Sequence, residues 1–188
     1  KVVLILKRMT LKGLKMTTVE NDMNVIDNFL PEDQFQHIQN AMLGPNLMWN
    51  YNAGIVGSND PPGSFQFTHT LFDRRPPWNG QSSQHFPFMM AFLEKLEIYP
   101  DKLYRIKANL RTKTISHSNG GYHIDDFPCP NTAVFYVNSN NGYTKFKKSG
   151  EIVKSVANRI VIFNSDLEHG GYSCTDENIR VVINFNWT

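Results

Sequence analysis

Cysteine is scarce in this sequence, with only Cys129 and Cys174 among 188 residues. Neither belongs to a Cys-x-x-Cys pair, so a thiolate zinc ribbon and a dense disulfide framework are both excluded. Two free thiols in a reducing cytoplasm are expected. Long apolar runs are also missing. The N-terminal stretch KVVLIL is far shorter than the roughly 20 residues that span a bilayer, and it lacks the length and small-residue cleavage site of a signal peptide. Charge of one sign is lacking too. A net charge of +2 does not by itself imply a nucleic-acid or membrane partner. There is no internal repeat, low-complexity tract or linker that would split the chain. Residues 1–15 are expected to be a disordered or expression-derived segment, with Met16 a plausible native start.

Aromatic and turn-forming residues are plentiful: 13 Phe, 12 Gly and 10 Pro favour short strands and many turns. Pro31 to Gly44 reads as a helix, with Pro in its first turn, Gly at its stop, and Phe35, Ile38 and Met42 on one face. Ser64–Phe72 reads as a strand between loops 57–64 and 73–82, and Gln84–Glu97 as a second helix starting near Pro87. From Leu103 onward strand follows strand. Tyr104–Lys113 alternates, with Tyr104, Ile106, Ala108 and Leu110 on one face and Arg105, Lys107, Asn109, Arg111 and Lys113 on the other. Thr132–Asn138, Thr144–Lys147, Glu151–Val156, Arg159–Asn164 and Ile179–Trp187 follow. Asn-Gly-Gly at 119–121, Asn141-Gly142, Ser149-Gly150 and Gly170-Gly171 read as turns. The pattern predicts a mainly β protein, a sandwich or jelly-roll barrel with helices packed on one sheet.

Two stretches carry chemistry. In Tyr122-His123-Ile124-Asp125 the histidine and aspartate are two apart, so on a strand they share a face. His169 arrives several strands later, ahead of Gly170-Gly171. Two imidazoles and one carboxylate form the facial triad of non-haem iron oxygenases, which leaves open positions for a chelating keto acid and O₂. On the last strand Ile179, Val181, Ile183, Phe185 and Trp187 form an apolar face. Arg180, Asn184 and Asn186 share the other with Val182. An arginine facing a barrel interior suits a carboxylate, which it binds bidentately. His37, His69, His85 and His117 lack such company.

These motifs resemble the 2-oxoglutarate/Fe(II)-dependent dioxygenase superfamily, most closely its prolyl 4-hydroxylase-like branch with small phage and bacterial members. The resemblance covers roughly residues 104–188, and more loosely DNFLPEDQF near the N-terminus. GYHIDD matches the first two ligands, TAVFYVN the next strand, and NNGYTKF the turn-strand segment. ANRIVIFNSDLEHGG matches the distal histidine, and IRVVINFNW the final strand. It implies a double-stranded β-helix (a cupin-like jelly roll) at about 103–188 within a single dioxygenase domain, 16–188. It also implies an oxidoreductase using Fe(II) and 2-oxoglutarate, with ascorbate as a candidate aid, that releases succinate and CO₂. His123, Asp125 and His169 would bind iron. Arg180 would pair with the C5 carboxylate of 2-oxoglutarate, a site filled by Lys in collagen-type enzymes. Tyr136 matches a tyrosine that contacts the same carboxylate. Asn184 and Asn109 are further cosubstrate candidates. Asn186 stands where alkylated-base demethylases carry a second arginine, which argues against nucleic acid.

The substrate stays open at this stage. A prolyl or other peptide side chain, a free amino acid or a small metabolite all fit, as does a catalytically silent metal-binding jelly roll. The expected location is the cytoplasm, including a host cytoplasm for a phage-encoded enzyme, with no membrane partner. The cationic face of 105–113 reads either as a solvated outer face or as part of a pocket mouth suited to acidic groups. Gly57–Gly63 and Asp73–Gln84, the latter with Trp78 and the prolines Pro76 and Pro77, are candidate lids.

Overall fold

The computed structural model of the chain describes residues 23–56, 60, 62–125 and 128–188. Segment 1–15, Met16 and most of the lid Gly57–Gly63 lie outside the described residues. The elements in order are β1 (Met23–Ile26), α1 (Glu32–Leu43), β2 (Asn50–Asn52), β3 (Gln66–Asp73), α2 (Met90–Lys95), β4 (Leu103–Thr112), β5 (Asn131–Tyr136), β6 (Tyr143–Phe146), β7 (Ile152–Lys154), β8 (Arg159–Asn164), β9 (His169–Tyr172) and β10 (Ile179–Trp187).

The strands form two antiparallel sheets. The larger has seven strands in the order β1-β8-β5-β10-β4-β3-β2, and the smaller has three in the order β7-β6-β9. Alternation along each strand decides which face is which. On β10, Val181, Ile183 and Phe185 point to a core shared with the helices, whereas Val182 belongs to a second cluster. In that second cluster Val134, Tyr136, Val161 and Phe163 of the large sheet meet Phe146 and Val153 of the small one. The helices thus cover one face of the large sheet, and the small sheet covers the other. This two-sheet arrangement is the expected jelly roll.

Helix α1 follows from its sequence. Glu32 and Asp33 lie in its first turn, where negative charge favours the helix dipole. Phe35, Ile38 and Met42 are its buried face, each stabilising by roughly 1.5–3 kcal/mol relative to exposure. At Gly44 a Cβ would lie 2.5 Å from the Asn40 carbonyl oxygen, so only glycine fits this stop. Asn158 fixes the entry to the helix. With φ at +61° in the turn before β8, its amide accepts from Leu30 N at 2.9 Å and donates to Leu30 O at 2.8 Å.

Three expectations are corrected. The predicted second helix is a 3-10 turn, Phe86–Met89, followed by only six α-helical residues, because Glu97 takes a positive φ of 54° and ends it. Gly170-Gly171 is not a turn. It sits inside β9, where small residues let the strand pass close to Gly121, since a Cβ on Gly170 would meet that carbonyl oxygen at 2.9 Å. His123 and Asp125 do not lie on a continuous strand, because His123 makes an isolated bridge to His169 and Asp125 follows in irregular chain. Cys129 and Cys174 are free and buried, as expected.

Candidate active site

The two histidines are set side by side by the backbone. His123 N donates to His169 O, and His169 N donates to His123 O, each at 2.9 Å. Such a doubly bonded antiparallel pair brings the side chains to the same side, and the two rings stand 4.5 Å apart. Asp125 follows two residues on, with its backbone N bonded to Ser165 O at 3.2 Å. Its Oδ1 lies 3.7 Å from His123 Nε2. One ligand atom each from His123, Asp125 and His169 falls within 4.8 Å of the others.

The surroundings fit a divalent metal. His169 is buried, and its Nδ1 donates to Leu167 O at 2.9 Å, which leaves the Nε2 lone pair for a ligand. Oδ2 of Asp125 accepts from Thr132 Oγ1 at 3.0 Å and from Asn186 Nδ2 at 2.9 Å, so the carboxylate is held with Oδ1 toward the cluster. His123 Nδ1 is buried without a hydrogen bond of normal geometry, although the Gly121 backbone is close by. Burial and the adjacent His169 lower the pKa of His123 despite Asp125, which favours the neutral, metal-binding form.

The cluster opens into a cavity of about 560 Å³ between the sheets. Arg180 lines it from β10 and is buried at 4% exposure. Nε of Arg180 donates to Ser155 Oγ at 2.9 Å and Nη2 to Thr144 Oγ1 at 3.2 Å. Both partners are neutral, and among the described residues no carboxylate reaches this guanidinium. Desolvation lowers its pKa from the ordinary value. A buried cation with hydroxyl partners alone is costly, and an incoming anion offsets that cost.

No protein-family model matches the chain, and no curated protein matches it significantly. Solved structures do. A 2OG-Fe(II) oxygenase family oxidoreductase from Burkholderia pseudomallei aligns over 89% of this chain and 85% of its own, with a TM-score of 0.66 and 14% identity. A prolyl-4-hydroxylase from Pseudomonas putida aligns over 88% and 91%, at 0.61 and 15%. A viral collagen prolyl hydroxylase from Paramecium bursaria chlorella virus 1, solved with 2OG, aligns over 89% and 95%, at 0.59 and 12%. The chain has the 2OG-Fe(II) oxygenase fold. At these identities the likeness is one of architecture, and the chemistry rests on the chain's own residues.

Within this oxygenase fold the remaining predicted residues divide. Asn109 and Asn184 line the cavity, and the buried Oδ1 of Asn184 has no hydrogen-bond partner. Tyr136 lies beneath Arg180, whose guanidinium carbon is 5.6 Å from the ring centroid. The Tyr136 hydroxyl, fully buried, donates to Thr144 Oγ1 at 2.9 Å. Of segment 73–84 only Arg75 lines the cavity. His37, His69, His85 and His117 do not line it; His69, for one, is held between Met48 O and Ser83 Oγ.

Sequence reading missed several members of the site. Asn186 and Thr132 orient Asp125, and Ser155 and Thr144 orient Arg180. The cationic face of β4 is settled in favour of the cavity. Arg105, Lys107 and Arg111 line it, while Lys113 is exposed at the strand's end. Arg111 stands directly opposite Arg180 and donates Nη1 to Ser118 O at 3.0 Å and Gly171 O at 2.8 Å. Burial and the neighbouring Arg180 push its pKa down to about 10.

Proposed function

We propose that this chain is an Fe(II)- and 2-oxoglutarate-dependent dioxygenase. It hydroxylates a prolyl, other peptidyl or amino-acid substrate and releases succinate and CO₂. One observation carries the reading: the His123, Asp125 and His169 donors open into the same cavity as Arg180, a buried arginine with only hydroxyl partners. A silent metal-binding jelly roll has no use for that arginine. The prolyl hydroxylases among the structural neighbours support a peptidyl substrate.

Each residue then has a defined task. His169 presents Nε2, because its other nitrogen is spent on Leu167 O. Asp125 presents Oδ1, because Thr132 and Asn186 hold Oδ2. His123 completes the facial set. When bound there, Fe(II) supplies dioxygen activation and the oxidative decarboxylation of 2-oxoglutarate. Arg180 receives the distal carboxylate of the cosubstrate, pre-aimed by Ser155 and Thr144. Val134 and Val182 line the wall between the two ends and limit water there.

The test is succinate formation from 2-oxoglutarate by anaerobically Fe(II)-loaded protein with ascorbate on admission of O₂. His123→Ala is expected to abolish it. Arg180→Ala is expected to raise the cosubstrate KM by about 10- to 100-fold, because a hydrogen bond to a charged group contributes roughly 1.5–3 kcal/mol. Absence of both turnover and Fe(II)-dependent 2-oxoglutarate binding would sink the dioxygenase reading.

A further inference from the structure

The cavity carries far more positive charge than the cosubstrate needs. Among its described lining residues Arg75, Arg105, Lys107, Arg111 and Arg180 are cationic, and Asp125 is the single carboxylate. Most of these charges have a visible task. Asp73 pairs with Arg75 at 2.7 Å and lies 3.6 Å from Arg105. Arg111 holds two backbone carbonyls, and Arg180 is assigned to the cosubstrate. Lys107 has no such task. Its ammonium makes no hydrogen bond or ion pair with any described residue, and the side chain lines the cavity half-buried from β4, an inner strand of the large sheet.

The strand register says which part of the cavity Lys107 serves. On the paired strands β4 and β10, Arg111 faces Arg180, Lys107 faces Asn184 and Arg105 faces Asn186. Asn186 is the residue that holds Asp125. Lys107 therefore sits one same-face step from the rung tied to the metal ligand. It is four residues from the Arg111–Arg180 rung, about 13 Å at roughly 3.3 Å per residue. Its rung partner Asn184 contributes a buried Oδ1 that also lacks a partner. An unspent cation and an unspent amide thus share one rung toward the reactive end of the cavity, away from the Arg180 end that takes the distal carboxylate of 2-oxoglutarate.

We infer that the prime substrate carries a carboxylate, which Lys107 binds beside the metal cluster and which fixes the group to be hydroxylated. This rests on the dioxygenase reading above. The electrostatics agree: burial, together with Arg105 and Arg75, pushes the Lys107 ammonium down to about 8. A bound carboxylate offsets that penalty, whereas a neutral isostere leaves it in place. The specificity is one of charge, so an acid and its amide of nearly equal shape should separate cleanly.

The experiment is calorimetric titration of the full chain, loaded with redox-silent Mn(II) and saturated with 2-oxoglutarate. The probes are L-aspartate and L-glutamate against L-asparagine and L-glutamine, and blocked peptides that differ only in Asp against Asn. Acids are expected to bind at least about tenfold tighter than their amides, a difference of about 1.4 kcal/mol. Lys107→Gln should erase that preference, and Lys107→Arg should keep it. Lys148→Gln, at an exposed turn position, should also keep it. Preference confined to the free acids would identify a small acid as substrate, and preference confined to the peptides an acidic chain. Equal binding of acids and amides, or a preference that survives Lys107→Gln, overturns the inference while leaving the dioxygenase reading intact. Failure of 2-oxoglutarate itself to bind would remove that reading and this one together.

Discussion

At the scale of single residues, the site depends on side chains that would never touch a metal. Asp125 lies in irregular chain, where nothing in its own backbone fixes the carboxylate. Its orientation comes from Asn186 on β10 and Thr132 on β5. These two also bond each other at 3.0 Å, closing a three-membered polar network. Groups that orient metal ligands typically contribute 10- to 100-fold in affinity. Asn186→Ala is therefore expected to weaken Mn(II) binding by about that factor, read by calorimetry on the full chain. Unchanged affinity would mean that Thr132 alone suffices. Asn186 is on the correct face in the sequence alternation, but its role could not be read there. Asn186 and Thr132 are Cα partners on β10 and β5, and a one-residue slip in that register would turn Thr132 to the opposite face.

At the scale of elements, legibility followed periodicity. The bounds of β8 and β10 could be read directly because each is a run rich in β-branched and aromatic residues, and the buried residues of α1 because Phe35, Ile38 and Met42 recur at helical spacing. The short strands β1 and β2 could not. Each is three or four residues long, lies at an edge of the large sheet and carries exposed positions, so neither has an apolar pattern to detect. Strand β9 was hidden by its two glycines, which serve close chain passage and not a turn. The end of β3 offers a test of how these elements are held. Asp73 is buried at 4% exposure and pairs with Arg75 and with Arg105 on β4. Burial alone would raise its pKa, but the hydrogen bonds from Arg75 outweigh it, and the net shift is downward from 3.8. A carboxylate with a depressed folded pKa stabilises fully above its unfolded value and loses that contribution as pH falls through the folded one. Asp73→Asn is expected to cost about 1–2 kcal/mol near pH 7, toward the low end for charged hydrogen bonds because Arg75 is partly exposed. The gap to the unaltered protein should begin to narrow near pH 4, the unperturbed carboxylate pKa, and close as pH falls through the lower folded value. Urea denaturation across this pH range measures this, and a gap that persists in acid would assign the cost to packing instead of charge.

At the scale of the whole molecule, the cluster of His123, Asp125 and His169 sits where the two sheets meet. His169 opens β9 of the small sheet, whereas Asp125 is tied through Asn186 and Thr132 to β10 and β5 of the large one. The loop that carries His123 pairs with β9 through two described bridges, Asn119 with Tyr172 and His123 with His169. A divalent ion held by all three side chains would therefore clamp one sheet to the other. Ligand at 100 times its Kd adds about 2.7 kcal/mol of stability, which for a chain of this size raises Tm by about 5–10 °C. The location of the gain matters more than its size. The three-stranded sheet is the smaller partner, and β7 at its edge has only three residues, so local opening there should precede global unfolding. Mn(II) with 2-oxoglutarate is expected to slow amide exchange in residues 143–154 and 169–172 well beyond any change in α1, which packs on the opposite face of the large sheet. Slowing confined to residues 123–125 would mean that the ion orders only its own loop and that the sheets are already locked together by the cluster of Val134, Phe146, Val161 and Phe163.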